Sequence, residues 1–495
     1  MKKLIVMLLL IGTFSMLLAA CVDPDIGAEQ PDVTTAAVEE TTEKTILDNV
    51  PEDLKYKGDD IVILSRSMQG WTADEVAVPE LNSEPVNDAM FNRNIVVGDR
   101  LGVNIVSAPI DDPDQHKVIE EIKRVVKAGS DEYDLVAASA YAATAAIAEG
   151  TFLDLTNLAY LDLEQSYWMQ GYNDSMSFMG KQYTATGDIA LSTYRFTFVT
   201  LFNKDAFDDS SVPYLYEAVE NNEWTLDYQA SLAKNFYRDT NGTGKKDEGD
   251  FFGLITCPGI CTDPYWASCG VSIVEKNSDG EYEYVLDKGR LSDVMDKILY
   301  LYYDCGGTNL YFPETNNVEQ DKMRVLFADG ECAMTTLRLV AVEQPEMRNM
   351  TQQYGIVPVP KYDSTQTGYR SQMHDQFTVF AVPASAKASK LEMIGATLEV
   401  MASESKRTVK PAYYEIAVKR KYMSDPIAWD MLDLIFSDVK VDAGIIYTNS
   451  LEKPLQLLRE ISQSKQNTVS SSYQKIESTA KRSLTKLNSK LEKLE

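Results

Sequence analysis

Asp239-Thr240-Asn241-Gly242-Thr243-Gly244-Lys245-Lys246-Asp247-Glu248-Gly249-Asp250 is the stretch whose residue types and spacing point most directly to chemistry. Oxygen-bearing side chains stand at its first, third, fifth and ninth positions (Asp239, Asn241, Thr243, Asp247). Gly244 permits the sharp turn, Lys245 needs to offer only its carbonyl, and Asp250 closes the loop. That spacing wraps hard oxygens around one calcium ion. Thr243 replaces the usual Asp or Asn and Asp250 the usual bidentate Glu, which weakens the set. Ca2+ is therefore expected as a structural clip of modest affinity. The alternative for the same residues is a polar surface turn.

Other reactive groups are sparse. Cys257-Pro258-Gly259-Ile260-Cys261 has a turn-like spacing that could close on itself or on Cys269. With Cys305 and Cys332 these make an odd set, and small buried residues are the plainer reading. A thiolate metal site would lack nearby histidine, since the chain has only His116 and His374. No Gly-x-Ser-x-Gly, His-Glu-x-x-His or phosphate-cradling glycine loop occurs. Seventy-five acidic residues make some carboxylate pair inevitable, so their abundance does not argue for a glycoside hydrolase. No enzyme is expected.

Met1–Cys21 reads MKKLIVMLLLIGTFSMLLAAC: a basic start, an apolar run, then small residues before a cysteine. This is the pattern of a secretory signal. Leu18-Ala19-Ala20-Cys21 looks like the lipobox of bacterial lipoproteins, which makes Cys21 the expected lipidation site after removal of residues 1–20. Residues 21–54, rich in Thr, Ala, Asp, Glu and Pro, read as an acidic flexible tether. The formal net charge of -28 disfavours nucleic acid and anionic lipid as partners, leaving the N-terminal lipid as the only membrane contact.

The 495-residue chain is too long for a single core. From about Lys55 the pattern predicts alternating strands and helices. Ile61–Leu64, Val103–Val106 and Tyr133–Ala137 read as strands. Between them lie helices from Asn87 (as cap) to Leu101 and from Gln115 to Ala128. Such alternation implies a parallel sheet with helices on its faces and ligands beyond the strand C-termini, here Ser65–Glu75 and Ala138–Tyr141. A second alternating region follows the Asp239 loop. Ser389 and Glu392 read as a capping box for a helix carrying Leu391, Ile394, Leu398 and Met401. Leu451–Glu495 reads as polar helix.

Several segments, taken in order, resemble the extracellular solute-binding proteins of ABC importers, family 1, sugar-binding type. They are the lipobox and tether, Glu84-Pro85-Val86-Asn87-Asp88-Ala89 leading to Arg93-Asn94, Gly187-Asp188, Asn203-Lys204 and Trp224-Thr225-Leu226-Asp227. The Asp239 loop, Tyr354–Lys361 and Pro411-Ala412-Tyr413-Tyr414-Glu415 extend the match. The resemblance implies an α/β, two-lobed periplasmic-binding-protein-like fold (type II), each lobe a mainly parallel sheet flanked by helices, with hinge crossings near Asp188 and Gln376. Residues 55–188 and 377–440 would form lobe 1, and 189–376 and 441–495 lobe 2. It further implies a monomer on the extracellular face of a Gram-positive cell membrane. That monomer would pass a carbohydrate to ABC permease subunits. A lipid-anchored glycoside hydrolase and a carbohydrate sensor without transport are the alternatives.

A sugar offers hydroxyls and an apolar ring face, so aromatic platforms beside Asp, Glu, Asn and Arg are the expected site. Trp71 with Arg66 and Glu75 lies after the first strand. Asp188 and Tyr194 fall at the first crossing, Tyr265 and Trp266 follow the Asp239 loop, Arg338 follows the Met334 strand, and His374 and Asp375 precede the second crossing.

Overall fold

The computed structural model describes residues 47–68, 71–312, 318–419 and 426–494. The signal segment, Cys21 and the tether as far as Ile46 lie outside the described residues. Packing begins earlier than the expected Lys55. Val50 is buried, and the Asp48 carboxylate accepts from Arg100 at 2.6 Å and from Ser403 Oγ at 2.5 Å. Two hydrogen-bonded side chains hold this acidic residue, which composition alone assigns to the tether.

The first sheet contains strands β1 (Asp59–Arg66), β2 (Val103–Ile110) and β3 (Leu135–Ser139). Helices α1 (Pro85–Leu101), α2 (His116–Lys127) and α3 (Ala140–Ile147) alternate with them. β1 pairs parallel with both β2 and β3, with Ile61 opposite Ile105 and Ile63 opposite Leu135. Ile61 and Ile63 share a core with Val97 and Leu101 of α1, while Leu64 packs with Val118 and Ile122 of α2. Helices on both faces explain why β1 is an unbroken apolar run. Asn87 does not cap α1. Pro85, with its preset φ and missing N–H, opens the helix a turn earlier. Asn87 instead donates to the Glu80 carbonyl at 2.8 Å, pinning the loop before the helix.

The second sheet is mixed. It holds β4 (Phe198–Asn203), β5 (Phe252–Thr256), β6 (Thr308–Leu310), β7 (Cys332–Arg338) and β8 (Tyr354–Val357), in the order β8-β4-β7-β5-β6. β5 runs parallel to β7 and β6, whereas β4 is antiparallel to both β7 and β8. Helices α4 (Leu226–Phe236) and α6 (Val318–Ala328) cover it, and α5 (Lys288–Leu299) packs on α4. Thr225 caps α4 as expected, its Oγ1 accepting from Tyr228 N at 3.2 Å.

The chain then returns: β9 (Thr378–Ala381) pairs antiparallel with β3, completing the first sheet as β9-β3-β1-β2. After it, α7 (Leu391–Glu404) packs on α1. No side chain caps α7. The segment Ala388–Lys390 forms a 3-10 turn that leads directly into the helix, so Ser389 and Glu392 are not a capping box. Helix α8 (Pro426–Ser437) lies against β8 of the second sheet, ahead of the expected return at 441. The C-terminal helices α9 (Pro454–Gln463) and α10 (Val469–Leu491) follow. Val469, Tyr473, Ala480, Leu484, Leu487 and Leu491 form the buried stripe of the otherwise polar α10, which packs on α5.

Two short segments link the sheets, the first carrying the helical turn Leu191–Arg195. Gly187–Thr197 carries the chain from the first sheet into β4, and Met373–Phe377 carries it back into β9. The two touch where Thr197 bridges Met373. A Cβ on Gly187 would lie 2.2 Å from the Tyr167 carbonyl, so this close crossing accepts only glycine.

Candidate functional site

Charged and aromatic side chains from both sheets converge where those segments pass. Arg66, the last residue of β1, donates through Nη2 to the Gln376 carbonyl and to Thr378 Oγ1, the latter at 3.1 Å. Burial lowers its pKa to about 10, with Glu75 opposing. Trp71 sits in the loop beyond β1. The Arg338 guanidinium, at the end of β7, lies 4.3 Å from the centre of its ring, and Phe196 lies 5.8 Å away. This is a cation–π contact between the two sheets' loops.

Glu75 is buried and acts as a bracket. Its Oε1 accepts from Ser192 N at 3.2 Å and from Ser192 Oγ at 2.7 Å, and burial raises its pKa. Beside it Arg195 forks between Asp74 (2.5 Å) and Glu343 (2.9 Å). These bonds tie the Trp71 loop to the first crossing.

His374 and Asp375 occupy the second crossing. The His374 ring meets Phe196 and Phe198 edge-on, each at 6.4 Å. Burial, reinforced by the charges of Arg338, Arg459 and Arg66, holds its pKa well below the usual imidazole range, so it is neutral. Its Nδ1 lies 3.4 Å from Asp375 Oδ1. Burial pushes Asp375 up to about 6, against the pull of Arg459. The main chain here is fixed by α3, whose Ala140 and Tyr141 N–H groups donate to the carbonyls of Phe377 and Asp375.

A cavity of about 260 Å³ opens beside Asp375, lined by Gln115, Tyr141, Gln376, Asn449 and Arg459 among others. Asn449 donates to the Tyr141 hydroxyl at 2.6 Å, and Arg459 of α9 forks onto Asp263, with Nε 2.8 Å from Oδ1. The Gln115 Oε1 is buried without a donor. Hydroxyl donors and acceptors next to the half-buried Tyr141 ring suit a neutral polyhydroxylated ligand.

Arg66, Trp71, Glu75, Arg338, His374 and Asp375 are thus brought together. The other four sequence candidates lie elsewhere. Tyr194 donates to Asp188 Oδ1 and stacks on Tyr413 at 5.4 Å. Both line a separate cavity of about 380 Å³ with Trp168, Lys410 and Phe436. Tyr265 is core, and Trp266 packs on Tyr473 of α10 at the wall of a third cavity of about 400 Å³. Sequence reasoning reached Tyr141 only as the end of the Ala138–Tyr141 loop and missed Asn449 and Arg459 as cavity residues, with Asp263 as the partner that holds Arg459. Only Tyr141 carried a signal, its place just beyond β3.

In the Asp239 loop, Asp239 accepts from Gly242 N and Gly244 N at 2.7 Å each. Asp247 accepts from Asn241 and Thr243, and Asp250 Oδ2 accepts from Tyr237 at 2.8 Å and Asp247 N at 3.1 Å. Asp250 Oδ1 is buried with no donor. Among the described residues no three His, Cys, Asp or Glu side chains converge as a metal cluster, so Asn241, Thr243 and the Lys245 carbonyl are needed to complete a calcium set. Among the described residues no helix is long and apolar enough to cross a membrane.

No protein-family model matches the chain, and no curated protein matches it. Solved structures do. An ABC substrate-binding protein from Listeria monocytogenes, solved with cycloalternan, is 14% identical, with TM-score 0.50 over 88% of this chain and 98% of its own. The GacH receptor of Streptomyces glaucescens, solved unliganded and with acarbose, is 13% identical, with TM-score 0.53 over 88% of this chain and 100% of its own. A cyclo/maltodextrin-binding protein solved with maltotetraose is 14% identical, with TM-score 0.52 over 88% and 97%. At these identities the likeness carries the fold: two lobes, periplasmic-binding-protein-like, each an α/β sheet flanked by helices.

Proposed function

We propose, on the premise of this shared two-lobed fold, that the chain is an extracellular solute-binding protein that captures a carbohydrate between its lobes and delivers it to an ABC permease. The observation that carries the reading is the cavity beside Asp375. It lies beside the second crossing segment, and residues attached to both sheets line it. Tyr141 and Asn449 offer hydroxyl and amide groups, Asp375 and Arg459 grip hydroxyls, and Trp71, stacked under Arg338 outside the cavity lining, would bring a ring edge to the ligand as the lobes close. The structures it resembles bind cycloalternan, acarbose and maltotetraose, which supports an oligosaccharide. Cys21 would hold the lipid and residues after it the tether, keeping the body at the outer membrane face.

Calcium fits the Asp239 loop as a structural ion. The buried, donorless Asp250 Oδ1 is the oxygen offered to the ion; Asp239 and Asp247, which do not converge with it in the loop as it stands, would draw in around the ion with Asn241, Thr243 and the Lys245 carbonyl. The ion would supply stability rather than chemistry.

Calorimetric titration with mono- and oligosaccharides, calcium present, tests the main reading. Saturable binding without turnover is expected, weakened about tenfold in Trp71→Ala. Hydrolysis of the titrant, or no binding across the panel, would overturn it. A melting temperature unchanged between calcium and chelator would remove the ion.

A further inference from the structure

Two buried sulfurs just beyond β5 meet in a way the binding function does not use. Cys257 immediately follows β5, and Pro258-Gly259 reverses the chain so that Cys261 returns beside it. The two Sγ atoms stand 3.0 Å apart and both side chains are fully buried. The reversal needs Gly259, whose φ of 105° suits no other residue. Its carbonyl accepts from Thr262 N at 2.9 Å, which closes the turn. The remaining described cysteines are otherwise engaged. Cys269 faces Ser268 Oγ at 3.8 Å, Cys305 donates to the Leu301 carbonyl at 3.1 Å, and Cys332 lies within β7.

The loop matters because of what it holds. Gly259 N donates to Ser462 Oγ of α9 at 3.0 Å, and two residues past Cys261 the Asp263 carboxylate receives the fork of Arg459. Arg459 lines the cavity beside Asp375. The turn between the two cysteines is therefore the mount for a cleft residue. It depends on hydrogen bonds alone unless the sulfurs join.

We propose that Cys257 and Cys261 are a covalent modification site, joined as a disulfide that fixes the Asp263–Arg459 mount against β5. A bonded pair requires about 2.05 Å, so closure from 3.0 Å asks for a shift of about 1 Å. The oxidant is a small-molecule or protein disulfide. A thiolate of the pair attacks one sulfur of the oxidant, expelling a thiolate and forming a mixed disulfide. The second cysteine, deprotonated, then attacks the protein sulfur of that mixed disulfide and expels the second thiolate. The protein loses two electrons and two protons, and the oxidant leaves as two thiols. Because both sulfurs are buried, exchange occurs while the chain folds or the loop opens locally.

The full chain is folded in a glutathione redox couple, denatured, alkylated without reductant and digested. The expected result is a peptide holding both Cys257 and Cys261, lighter by two hydrogens and alkylated only after reduction, with Cys269, Cys305 and Cys332 labelled at once. Alkylation of Cys257 and Cys261 without reductant, or either one bonded to Cys269, overturns the proposal. In a second arm, reduction lowers the melting temperature of the natural protein by about 2 °C. It leaves the Cys257→Ser/Cys261→Ser protein unmoved, and an equal fall in both overturns the proposal. If that double variant does not fold, Cys261→Ala serves, with the same two outcomes.

Discussion

Asp375 and His374 are neighbours with opposite relations to the proton. Burial expels charge from both, so the imidazole stays neutral throughout the working range while the carboxyl rises to about 6. A sugar hydroxyl donates to a carboxylate but gains little from a carboxylic acid. Oligosaccharide affinity is therefore expected to fall as pH drops through about 6, and Asp375→Asn to flatten that profile. Titrations at about pH 5 and about pH 8 measure it. An unchanged slope in the variant would remove Asp375 from the site. At this scale the sequence showed half of the site. Arg66 and Trp71 could be placed because the strand preceding them is an unbroken apolar run. Arg459 could not, because an arginine on a polar helix looks the same whether it faces solvent or Asp263.

Elements are joined by a few buried brackets, and these carry the sharpest stability predictions. Arg195 holds the Asp74 end of the Trp71 loop and Glu343 at once, with its side chain 7% exposed. Arg195→Met leaves two carboxylates unbalanced, and a loss of about 3–5 kcal/mol in denaturant unfolding is expected. Glu399 of α7 is a second bracket. It accepts from Trp168 Nε1 at 3.0 Å, from the Tyr167 hydroxyl and from Asp162 N, and burial pushes it to about 7. A carboxyl raised above its ordinary 4.5 favours folding while protonated. Its contribution is complete below that value and is lost as pH rises through about 7. Melting curves across that window should fall more steeply for the natural protein than for Glu399→Gln. Helix positions were readable from periodicity, but two caps were not. Pro85 starts α1 ahead of Asn87, and a 3-10 turn feeds α7. Both are local backbone solutions that outcompete the side-chain signal at Asn87 and Ser389.

For the molecule as a whole, the β1-to-β3 alternation was legible because each strand pairs with a near neighbour in sequence. The second sheet was not, since β4 finds β7 and β8 more than a hundred residues later and runs antiparallel to them. Such pairings follow from long-range packing, not from any local pattern. The chain passes between the two sheets only through short crossing segments, so hinge closure is the expected response to ligand. X-ray scattering should record a smaller radius of gyration with a bound oligosaccharide, and no change would argue against closure. The contact between Trp71 and Arg338 has a practical consequence here. Trp168, Trp224 and Trp266 are buried, and Trp429 on α8 packs against Tyr414, so none of the four sits under Arg338 between the two sheets' loops. Any movement of one lobe against the other changes the surroundings of the Trp71 indole, whose emission shifts as water replaces a guanidinium. The protein thus carries an intrinsic optical gauge of its own opening, which needs no label. Trp71→Phe would silence the gauge and leave the other four tryptophans as a steady background.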